Sequence, residues 1–549
     1  MTVIATEGSR LLGALERPED DPAALRIWTA DGYATMSRAA WHDMARRMAA
    51  GLRAQDLEPG QRVAAVLTNT AEACALAPAC WLAGHPLLSL PVPSRGQPFD
   101  AYLDLLRRII TDSRAAVLVV EGRLAAGLGQ ADIGVPVVAQ EDLGRPGPFE
   151  ATPLAADDIA FVQFSSGSTS SPKGCALALG AIDAHLDLVA THMGACTGCQ
   201  MVCWVPLSHD MGFFGGMLPA FANGMTTAIS TPERFIRSPR TWLEDMARFE
   251  ADMSVSPNFG LTLLVRAVSR TPVEARVGDI QIMNGGERIQ WETILRTEEV
   301  LGAHGLTRQQ MAPGYGLAEA TVIVSHTPRG HGGAHALWVD RAALAEGHVV
   351  DRDPGAEGAL AVVGSGVPLG PVELSIRGDA DVGRILMRTP TLATGYLDRP
   401  EETAAVFTAD GLLTSDLGFM REGELYVVGR VDDVLAHGGR NVHARDVEEP
   451  ANAVPGVRPG TAVLVDVEDG ARTVLVMVVE AAPEAEGVLP ELARELSEVT
   501  FRACGVHLER CVFMDKGTVP KTPSGKAQRF RARDLVRDGG ASVAEVVTL

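Results

Sequence analysis

A short apolar stretch that leads into a loop of small hydroxyl residues constrains this chain more than any other feature. The stretch from 159 to 174 is IAFVQFSSGSTSSPKG. Its first six residues, Ile159 to Phe164, predict a short buried strand. The loop that follows combines small residues, which let backbone N–H groups turn inward, with hydroxyl donors and the charge of Lys173. The pattern predicts a strand that ends in a phosphate-binding loop.

Two other interpretations of this loop fit less well. A Walker A loop needs Gly-Lys followed by Ser or Thr, whereas here Pro172 precedes Lys173 and Gly174 follows it. Linkers are often rich in Ser and Gly, but they do not usually follow an apolar strand. From the loop alone a kinase or ATPase remains an alternative, and AMP rather than ADP as the product would exclude it.

Length and charge limit the class of protein. A chain of 549 residues exceeds one core, so two to four units are expected. An apolar content of 46% with 21% charged residues is typical of a soluble globular protein. The formal charge of −21 argues against nucleic acid as the main partner. The basic stretch 516–537 is the exception, either as an anion site or as a solvated helix face.

Cysteine usage and hydropathy predict a cytoplasmic protein. Eight cysteines in so long a chain do not form a disulfide framework, and the N-terminus lacks a signal pattern. The most apolar early run, 73–83, is interrupted by Pro78 and is too short to span a bilayer. The spacing of His192, Cys196, Cys199 and Cys203 could suit zinc, but Cys203 falls in a strand-like run and no second cysteine pair follows.

The fold class predicted is α/β. Residues 1–150 alternate helical stretches such as 41–52 with strand-like ones such as 62–67. The segment 322–428 is strand-rich and punctuated by glycine, which predicts a small, mostly antiparallel β unit. A hairpin across 468–470 and a helix near 490–503 predict a small α+β C-terminal domain.

Several short segments carry candidate chemistry. His209, in PLSHDMG at the exit of a strand, lies where open α/β sheets bind ligands, although a lone histidine is more often structural. In GYGLAEAT, Tyr315 offers a stacking face and Glu319 a hard oxygen ligand for Mg²⁺. The stretch NGGE at 284–287 and the loop KTPSGK at 521–526 add a glycine turn and a positioned lysine.

Taken in order, these segments resemble the acyl-adenylate-forming superfamily, which includes acyl-CoA synthetases, fatty acyl-AMP ligases and peptide-synthetase adenylation domains. The resemblance covers nearly the whole chain and implies two layered α/β subdomains and a small β subdomain within residues 1–430, followed by a mobile domain at 431–549. SSGSTSSPKG is similar to the family's phosphate loop, TSDLG to its ribose segment, GRVDD to its hinge and KTPSGK to its catalytic lysine segment.

The resemblance implies roles for individual residues. The ATP phosphates would be held by Ser165, Ser166, Gly167, Ser168, Thr169 and Lys173. Mg²⁺ would lie near Thr169 and Glu319. Adenine would stack on Tyr315 and Gly316, beside Gly285, Gly286 and Glu287. Asp416 and Arg430 would bind the ribose, His209 would border the acyl channel, Asp432 would be the hinge and Lys526 the catalytic charge.

Two departures from the family pattern concern the phosphate loop. Ser170 stands where glycine is common, which is tolerable if its φ stays negative, and Phe164 stands where tyrosine is frequent. Both substitutions are mild. The chemistry still agrees with the assignment, because a carboxylate that attacks the α-phosphate of ATP needs fixed cations to offset charge repulsion. No general base is needed, since the carboxylate is already ionised at neutral pH.

The sequence defines the acceptor of the acyl group less clearly than it defines the adenylation step. The segment 322–367 is longer than most CoA ligases carry there and resembles the extra segment of fatty acyl-AMP ligases. GRVDD, by contrast, is a hinge form frequent in CoA ligases. The sequence favours acyl-AMP formation for a carrier-protein phosphopantetheine or a partner acyltransferase, with a complete acyl-CoA synthetase as the alternative.

Two questions stay open at this point. A catalytically idle ATP-binding regulatory protein would keep the same fold, although the intact Lys526, Glu319 and phosphate loop argue against it. The carboxylic acid is not defined by the sequence, because its pocket is lined by scattered apolar residues. Candidates that core packing explains equally well are Trp204, Phe213, Phe214, Met217 and Phe259.

Overall fold

A computed structural model gives the architecture of the chain. It describes residues 10–14, 24–93, 99–144, 151–152, 154–164, 172–437, 440–469, 472–485, 487–521, 527–539 and 543–549. Two large, mainly parallel sheets, a five-stranded antiparallel sheet and a C-terminal four-stranded sheet make up most of it. In the described part of the chain, no helix is long and apolar enough to cross a bilayer.

The seven-stranded sheet contains the strand that precedes the serine-rich loop. In spatial order its strands are Gly395–Tyr396, Gly174–Ala178, Ile159–Phe164, Leu87–Leu90, Arg62–Val66, Ala115–Val120 and Val137–Ala139. The last five are mutually parallel. The side chains of the four from Ile159–Phe164 to Ala115–Val120 are mostly buried on both faces, which explains their largely apolar sequences, whereas the edge strand Val137–Ala139 is half-buried. Ile159–Phe164 has the predicted bounds, and the predicted strand at 62–67 ends at Val66.

The nine-stranded sheet supplies most of the strand ends near the candidate site. Its order is Val367–Pro368, Ser325–His326, Met311–Tyr315, Gln281–Asn284, Met253–Ser256, Gln200–Cys203, Thr226–Ile229, Ala24–Thr29 and Gly32–Ser37. The six strands from Met311–Tyr315 to Ala24–Thr29 are parallel, so their carboxyl ends share one edge. Asn284 pairs with both Ser256 and Pro313, which brings three strand ends together.

Most of the segment predicted as a small β unit forms two antiparallel sheets, but Ser325–His326 and Val367–Pro368 join the nine-stranded sheet and Gly395–Tyr396 joins the seven-stranded sheet. The five-stranded sheet contains Glu373–Arg377, Gly383–Arg388, Gly411–Arg421, Phe407–Thr408 and Glu424–Arg430. The strands Ala336–Asp340 and Ala359–Val363 pair separately. Val339 and Val362 of this pair bury their side chains against Phe419 and Tyr426 of the larger sheet. The extra segment 322–367 is therefore packed onto the five-stranded sheet.

The C-terminal part is α+β, as predicted. Its four-stranded sheet has the order Val463–Asp469, Arg472–Glu480, Arg510–Met514 and Val543–Thr548, and a hairpin joins Val434–His437 to Arg440–His443. The helix predicted near 490–503 spans Leu489–Cys504. Buried apolar side chains from residue 435 onward form their own clusters, separate from those of the preceding residues.

The helices cover the sheet faces. Their bounds are Arg10–Ala14, Arg38–Arg53, Ala71–Leu82, Phe99–Ser113, Gly122–Leu128, Leu179–His192, Leu218–Asn223, Pro232–Arg237, Arg240–Arg248, Asn258–Arg270, Trp291–Leu301, Arg341–Ala345, Pro400–Val406, Ala444–Ala451, Leu489–Cys504 and Arg529–Asp538. Residues Met211–Met217 form a π-helix. Short 3₁₀ turns lie at Gln140–Leu143, Gly302–His304, Arg308–Gln310, Ala318–Ala320, Val431–Asp433 and Pro483–Ala485.

One helix joins the cores of the two large sheets. On Leu179–His192, Ile182 and Leu186 pack in the cluster that contains the seven-stranded sheet, whereas Leu188 and Val189 pack in the cluster of the nine-stranded sheet. The helix contains no glycine or proline after its first turn, and half of its 14 residues are buried. Its residues are thus held rigidly between the two sheets.

Candidate active site

A cavity of about 430 Å³ lies at the carboxyl ends of the parallel strands of the nine-stranded sheet. Its wall includes Gly285, Gly286, Tyr315, Glu319, Asp416 and Arg430. Glu287, Gly316 and His209 also line it, so nine predicted site residues from five sequence segments meet at one place. Ligands of open α/β sheets bind at this edge, which makes the cavity the candidate active site.

Tyr315, Asp416 and Arg430 form one polar group in the wall. The Tyr315 hydroxyl donates a hydrogen bond to Asp416 Oδ2 at 2.7 Å, and Arg430 Nε lies 3.2 Å from Asp416 Oδ1. Burial, together with the negative charge of Asp416, raises the pKa of Tyr315 well above its ordinary value. The phenol therefore stays protonated and fixes both its own ring and the carboxylate.

Glu319 is a buried carboxyl group on the same wall. Tyr396 donates a hydrogen bond from its hydroxyl to Glu319 Oε1 at 2.7 Å, and Lys173 Nζ lies 5.0 Å from the centre of the Tyr396 ring. Burial raises the pKa of Glu319 above its ordinary value, although the bond from Tyr396 opposes the shift. A nearby cation would offset this desolvation cost, so the site fits a bound divalent ion.

The backbone after Glu319 is held in a strained turn. Thr321 has φ 68° and ψ −64°, and Val322 N–H donates to Ala320 C=O at 2.9 Å, which together define a γ-turn. Thr321 Oγ1 donates to Thr391 C=O at 2.9 Å, and Ala393 N–H donates to Glu319 C=O at 2.8 Å. Such a conformation costs on the order of 1–3 kcal/mol and persists where its surroundings determine it.

The glycine turn at the end of strand Gln281–Asn284 forms another part of the wall. Gly286 has φ +75°, a conformation that favours glycine. A Cβ at Gly316 would lie 1.9 Å from Val322 C=O, so this position also excludes a side chain. Glu287 lines the cavity, but its Oε1 accepts a hydrogen bond from Phe259 N–H at 2.7 Å, near the start of helix Asn258–Arg270.

His209 lies at the border between the polar and apolar parts of the wall. Its Nδ1 is 2.5 Å from Asp210 Oδ1 and accepts a hydrogen bond from Met211 N–H at 3.2 Å. The apolar part of the wall includes Val189, Met211, Gly215 and Val255. An imidazole therefore adjoins an apolar recess that could hold a hydrocarbon group.

The five aromatic and methionine candidates for the acid pocket do not line this cavity as the structure describes it. Trp204 stacks on Phe235 with ring centres 3.7 Å apart, and Phe213 contacts Phe161 at 4.6 Å. Core packing, the alternative left open by the sequence, explains them. Periodicity does not distinguish the two roles, because the π-helix Met211–Met217 presents Gly215, not its phenylalanines, to the cavity.

His185 is a cavity residue that sequence analysis missed. It lies on helix Leu179–His192, is fully buried and lines the cavity. Its Nε2 lies 3.2 Å from Phe214 C=O, whereas Nδ1 has no hydrogen-bond partner among the described residues. Within an apolar helical pattern a single histidine carries little signal, so only its position beside the cavity marks it.

The C-terminal part also contributes to the cavity wall. Asp433, Arg445 and Ala527 line it, whereas Asp432, the predicted hinge residue, is exposed and does not. Asp433 lies 3.2 Å from Arg445 Nε and 3.1 Å from Arg529 Nη2. Of the two adjacent aspartates of GRVDD, the one that lines the cavity is thus Asp433, and the assignment of Asp432 as the hinge stays a prediction.

One ion pair connects the two parts of the chain beside the cavity. Arg288, in the wall, pairs with Asp446 of helix Ala444–Ala451, and only 13% and 15% of their side chains are exposed. Burial disfavours the charged guanidinium, but Asp446 and Glu449 more than compensate, so the pKa of Arg288 is raised.

Several predicted residues lie outside the described part of the structure. They are Ser165, Ser166, Gly167, Ser168, Thr169 and Ser170 of the serine-rich loop, and Lys526. Their neighbours Phe164 and Ala527 both line the cavity. The assigned roles of these residues remain predictions.

The cysteine cluster does not form a metal site. Cys196 and Cys199 are joined in a disulfide, with Cα atoms 5.5 Å apart, and Cys203 is a buried strand residue. The described residues contain no group of three or more metal-ligating side chains. The other six cysteines are thiols, and the one disulfide forms where a turn at Gly198, φ +87°, brings the two sulfur atoms together.

Comparison with known proteins agrees with this geometry. A family model described as "AMP-binding enzyme" matches residues 13–397. The medium-chain-fatty-acid–[acyl-carrier-protein] ligase JamA of Moorena producens is 29% identical over 412 residues, which cover 70% of this chain and 69% of that protein. The long-chain-fatty-acid–AMP ligase FadD26 of Mycobacterium marinum is 28% identical over 533 residues, 89% of each chain.

Solved structures show the same fold. One from a study of fatty acyl-adenylate ligases of E. coli and L. pneumophila superposes with a TM-score of 0.89 at 23% identity, over 97% of this chain and 98% of that one. An L. pneumophila ligase in complex with acyl adenylate and pyrophosphate gives 0.74 at 24% identity, over 98% of both chains. These likenesses confirm the predicted fold class.

Proposed function

The chain belongs to the AMP-binding enzyme family, and from this premise we propose that it converts a fatty or related apolar carboxylic acid to acyl-AMP. It is an adenylate-forming ligase that uses ATP. In the proposed step, a carboxylate oxygen attacks the α-phosphorus of ATP, and the bond from that phosphorus to the bridging oxygen of pyrophosphate breaks. The products are acyl-AMP and pyrophosphate.

One observation carries this proposal: a single cavity gathers a tyrosine–aspartate–arginine group, a buried glutamate and an apolar recess. Tyr315 offers its ring to adenine, with its hydroxyl fixed by Asp416. Asp416 and Arg430 accept from and donate to the ribose hydroxyls. The recess beside His209 takes the acyl chain, which orients the carboxylate toward the nucleotide.

The phosphates are assigned to the serine-rich loop. Ser165, Ser166, Gly167, Ser168, Thr169 and Lys173 would hold them. Lys173 lies against the Tyr396 ring, and Tyr396 in turn orients Glu319. Glu319 and Thr169 would hold Mg²⁺, which neutralises phosphate charge when bound.

Lys526 is proposed to stabilise the charge that develops between the carboxylate and the α-phosphate. It belongs to a C-terminal domain, residues 431–549, that we propose moves against residues 1–430 about Asp432. That motion would withdraw Lys526 after adenylation and admit a thiol. Two observations support a separable unit: its buried clusters are its own, and Arg288–Asp446 joins it to the rest beside the cavity.

The proposed acceptor is the phosphopantetheine thiol of a carrier protein. JamA, named as a ligase of an acyl carrier protein, supports it, as does the packing of the extra segment. Helix Arg341–Ala345 of that segment lies next to strand Arg440–His443 of the C-terminal part, where it would limit domain motion. Transfer to free coenzyme A is the outcome that this arrangement disfavours.

The experiment that tests the proposal is carboxylate-dependent exchange of pyrophosphate into ATP across a panel of acids. Exchange with apolar acids and AMP as the nucleotide product are expected. A second assay then offers the enzyme a holo-carrier protein and coenzyme A in parallel. If no acid supports exchange, the adenylation proposal is wrong. If only coenzyme A accepts the acyl group, the proposal of a carrier-protein acceptor is wrong.

A further inference from the structure

One nitrogen of the His185 imidazole is hydrogen-bonded within the fold, and the other has no partner among the described residues. Nε2 lies 3.2 Å from the Phe214 carbonyl oxygen, which can only accept, so Nε2 carries the proton. Nδ1 is then a lone-pair acceptor. It is buried and has no hydrogen-bond partner among the described residues, and the side chain is 0% exposed.

The protonation state agrees with this assignment. Burial lowers the pKa of His185 to about 4, although the bond to Phe214 opposes the shift. The ring is therefore neutral at neutral pH, and Nδ1 accepts hydrogen bonds without donating them. A partner for it must carry an O–H or N–H group.

The unpartnered nitrogen of His185 belongs to a residue that lines the cavity. Buried polar atoms in cores are nearly always hydrogen-bonded, and an unpaired acceptor costs folding free energy. His185 lines the cavity together with Val189, one helical turn further along, and with Gly215 and Val255. Its ring is anchored through Phe214 in the π-helix Met211–Met217, an element type often found at functional sites.

We infer that His185 is a specificity-determining residue, and that the acid this enzyme activates carries a hydroxyl group which donates a hydrogen bond to His185 Nδ1. This inference rests on the proposed function, because it places the acyl group in the apolar recess. The rest of the recess is apolar, so the hydroxyl is the polar feature that the site recognises. A pocket that hydrogen-bonds a hydroxyl discriminates against the analogue that lacks it.

The test compares matched acids in the pyrophosphate exchange assay with the full-length enzyme. Each straight-chain acid is paired with analogues hydroxylated at successive carbons, and a phenol-bearing acid forms a separate arm that distinguishes aromatic from aliphatic hydroxyls. At one position kcat/KM should exceed that of the parent acid by about 10-fold to 100-fold, the effect of satisfying one buried acceptor.

The variant His185→Leu replaces the acceptor by an apolar group of similar size. Its ratio of kcat/KM between the best hydroxy acid and the parent should fall to about 1 or below, whatever its absolute activity on the parent acid. Val189→Ala is the matched control, because it enlarges the same recess without removing a polar atom. It should change chain-length preference but leave the hydroxyl ratio unchanged.

Two outcomes overturn the inference. One is a wild-type enzyme that uses every parent acid as well as all its hydroxylated analogues, which decides the question even if His185→Leu fails to fold. The other is a hydroxyl preference that survives in His185→Leu. Both leave acid adenylation intact, whereas the absence of exchange with any acid would refute the proposed function itself.

Discussion

Replacing Asp416 by Asn tests the nucleotide site most directly. The carboxylate is 18% exposed, accepts a hydrogen bond from Tyr315 and pairs with Arg430. In the proposed complex it also accepts from the ribose hydroxyls. A hydrogen bond to a charged group contributes about 1.5–3 kcal/mol. Weakening two of them at the lower value gives about 3 kcal/mol, so we expect KM for ATP to rise about 100-fold.

The assay is pyrophosphate exchange at varied ATP, repeated with 2′,3′-dideoxy-ATP. For the wild type, KM should be much higher for the dideoxy nucleotide than for ATP. For Asp416→Asn the two KM values should differ little, since its contacts to the ribose hydroxyls are already weakened. Tyr315→Phe is the control, because it removes one hydroxyl from Asp416 and keeps the ring that faces adenine. Its KM should rise by about 10-fold or less.

A folded Asp416→Asn enzyme whose KM for ATP stays within about twofold of the wild type would refute this reasoning. Weakening two charge-assisted hydrogen bonds must raise KM by more than that. If removal of the ribose hydroxyls raises KM by the same factor in the wild type and in Asp416→Asn, those hydroxyls do not contact Asp416. Thermal unfolding of each variant shows whether the fold is retained.

Three further predictions concern the C-terminal domain. Lys526→Ala should abolish carboxylate-dependent exchange but leave thioester formation from supplied acyl-AMP largely intact; equal loss of both would remove this division of labour. With coenzyme A present, the wild type should accumulate acyl-AMP, measured by mass spectrometry, and rapid acyl-CoA release would contradict the assigned acceptor. Breaking a buried ion pair costs on the order of 3–5 kcal/mol. Arg288→Met and Asp446→Leu should therefore each raise the rate of hydrogen exchange across helix Ala444–Ala451. The double variant should raise it by less than the sum of the two single effects, and an effect equal to that sum would argue against the ion pair.

The sequence predicted much of the fold because local patterns decide it. The strand Ile159–Phe164, the strand Arg62–Val66 and the helix Leu489–Cys504 match their predicted bounds within a residue or two. Each is a continuous apolar run or an amphipathic stretch between turn residues, and that information lies within a few residues of chain. The segment 322–428 departs from its prediction, because three of its short strands, Ser325–His326, Val367–Pro368 and Gly395–Tyr396, pair with the two large sheets.

The candidate site was predicted in part. Tyr315, Glu319, Asp416 and Arg430 lie in short segments with a recognisable family pattern, and the structure places all four on one cavity. Trp204 and its apolar neighbours could not be assigned from sequence, because a large apolar side chain has the same pattern in a core as in a pocket.

What the sequence by itself determined is which residues form many of the strands and that the chain is an α/β ligase, and it named the candidate segments for nucleotide binding. Only the tertiary structure decided that Tyr396 orients Glu319 from 77 residues away and that Arg288 pairs with Asp446 across 158 residues. It alone also placed His185 beside the cavity with an unpaired nitrogen. The physical reason is that such contacts depend on strand register and on the packing of helices between sheets, and no local pattern of residues encodes those distances.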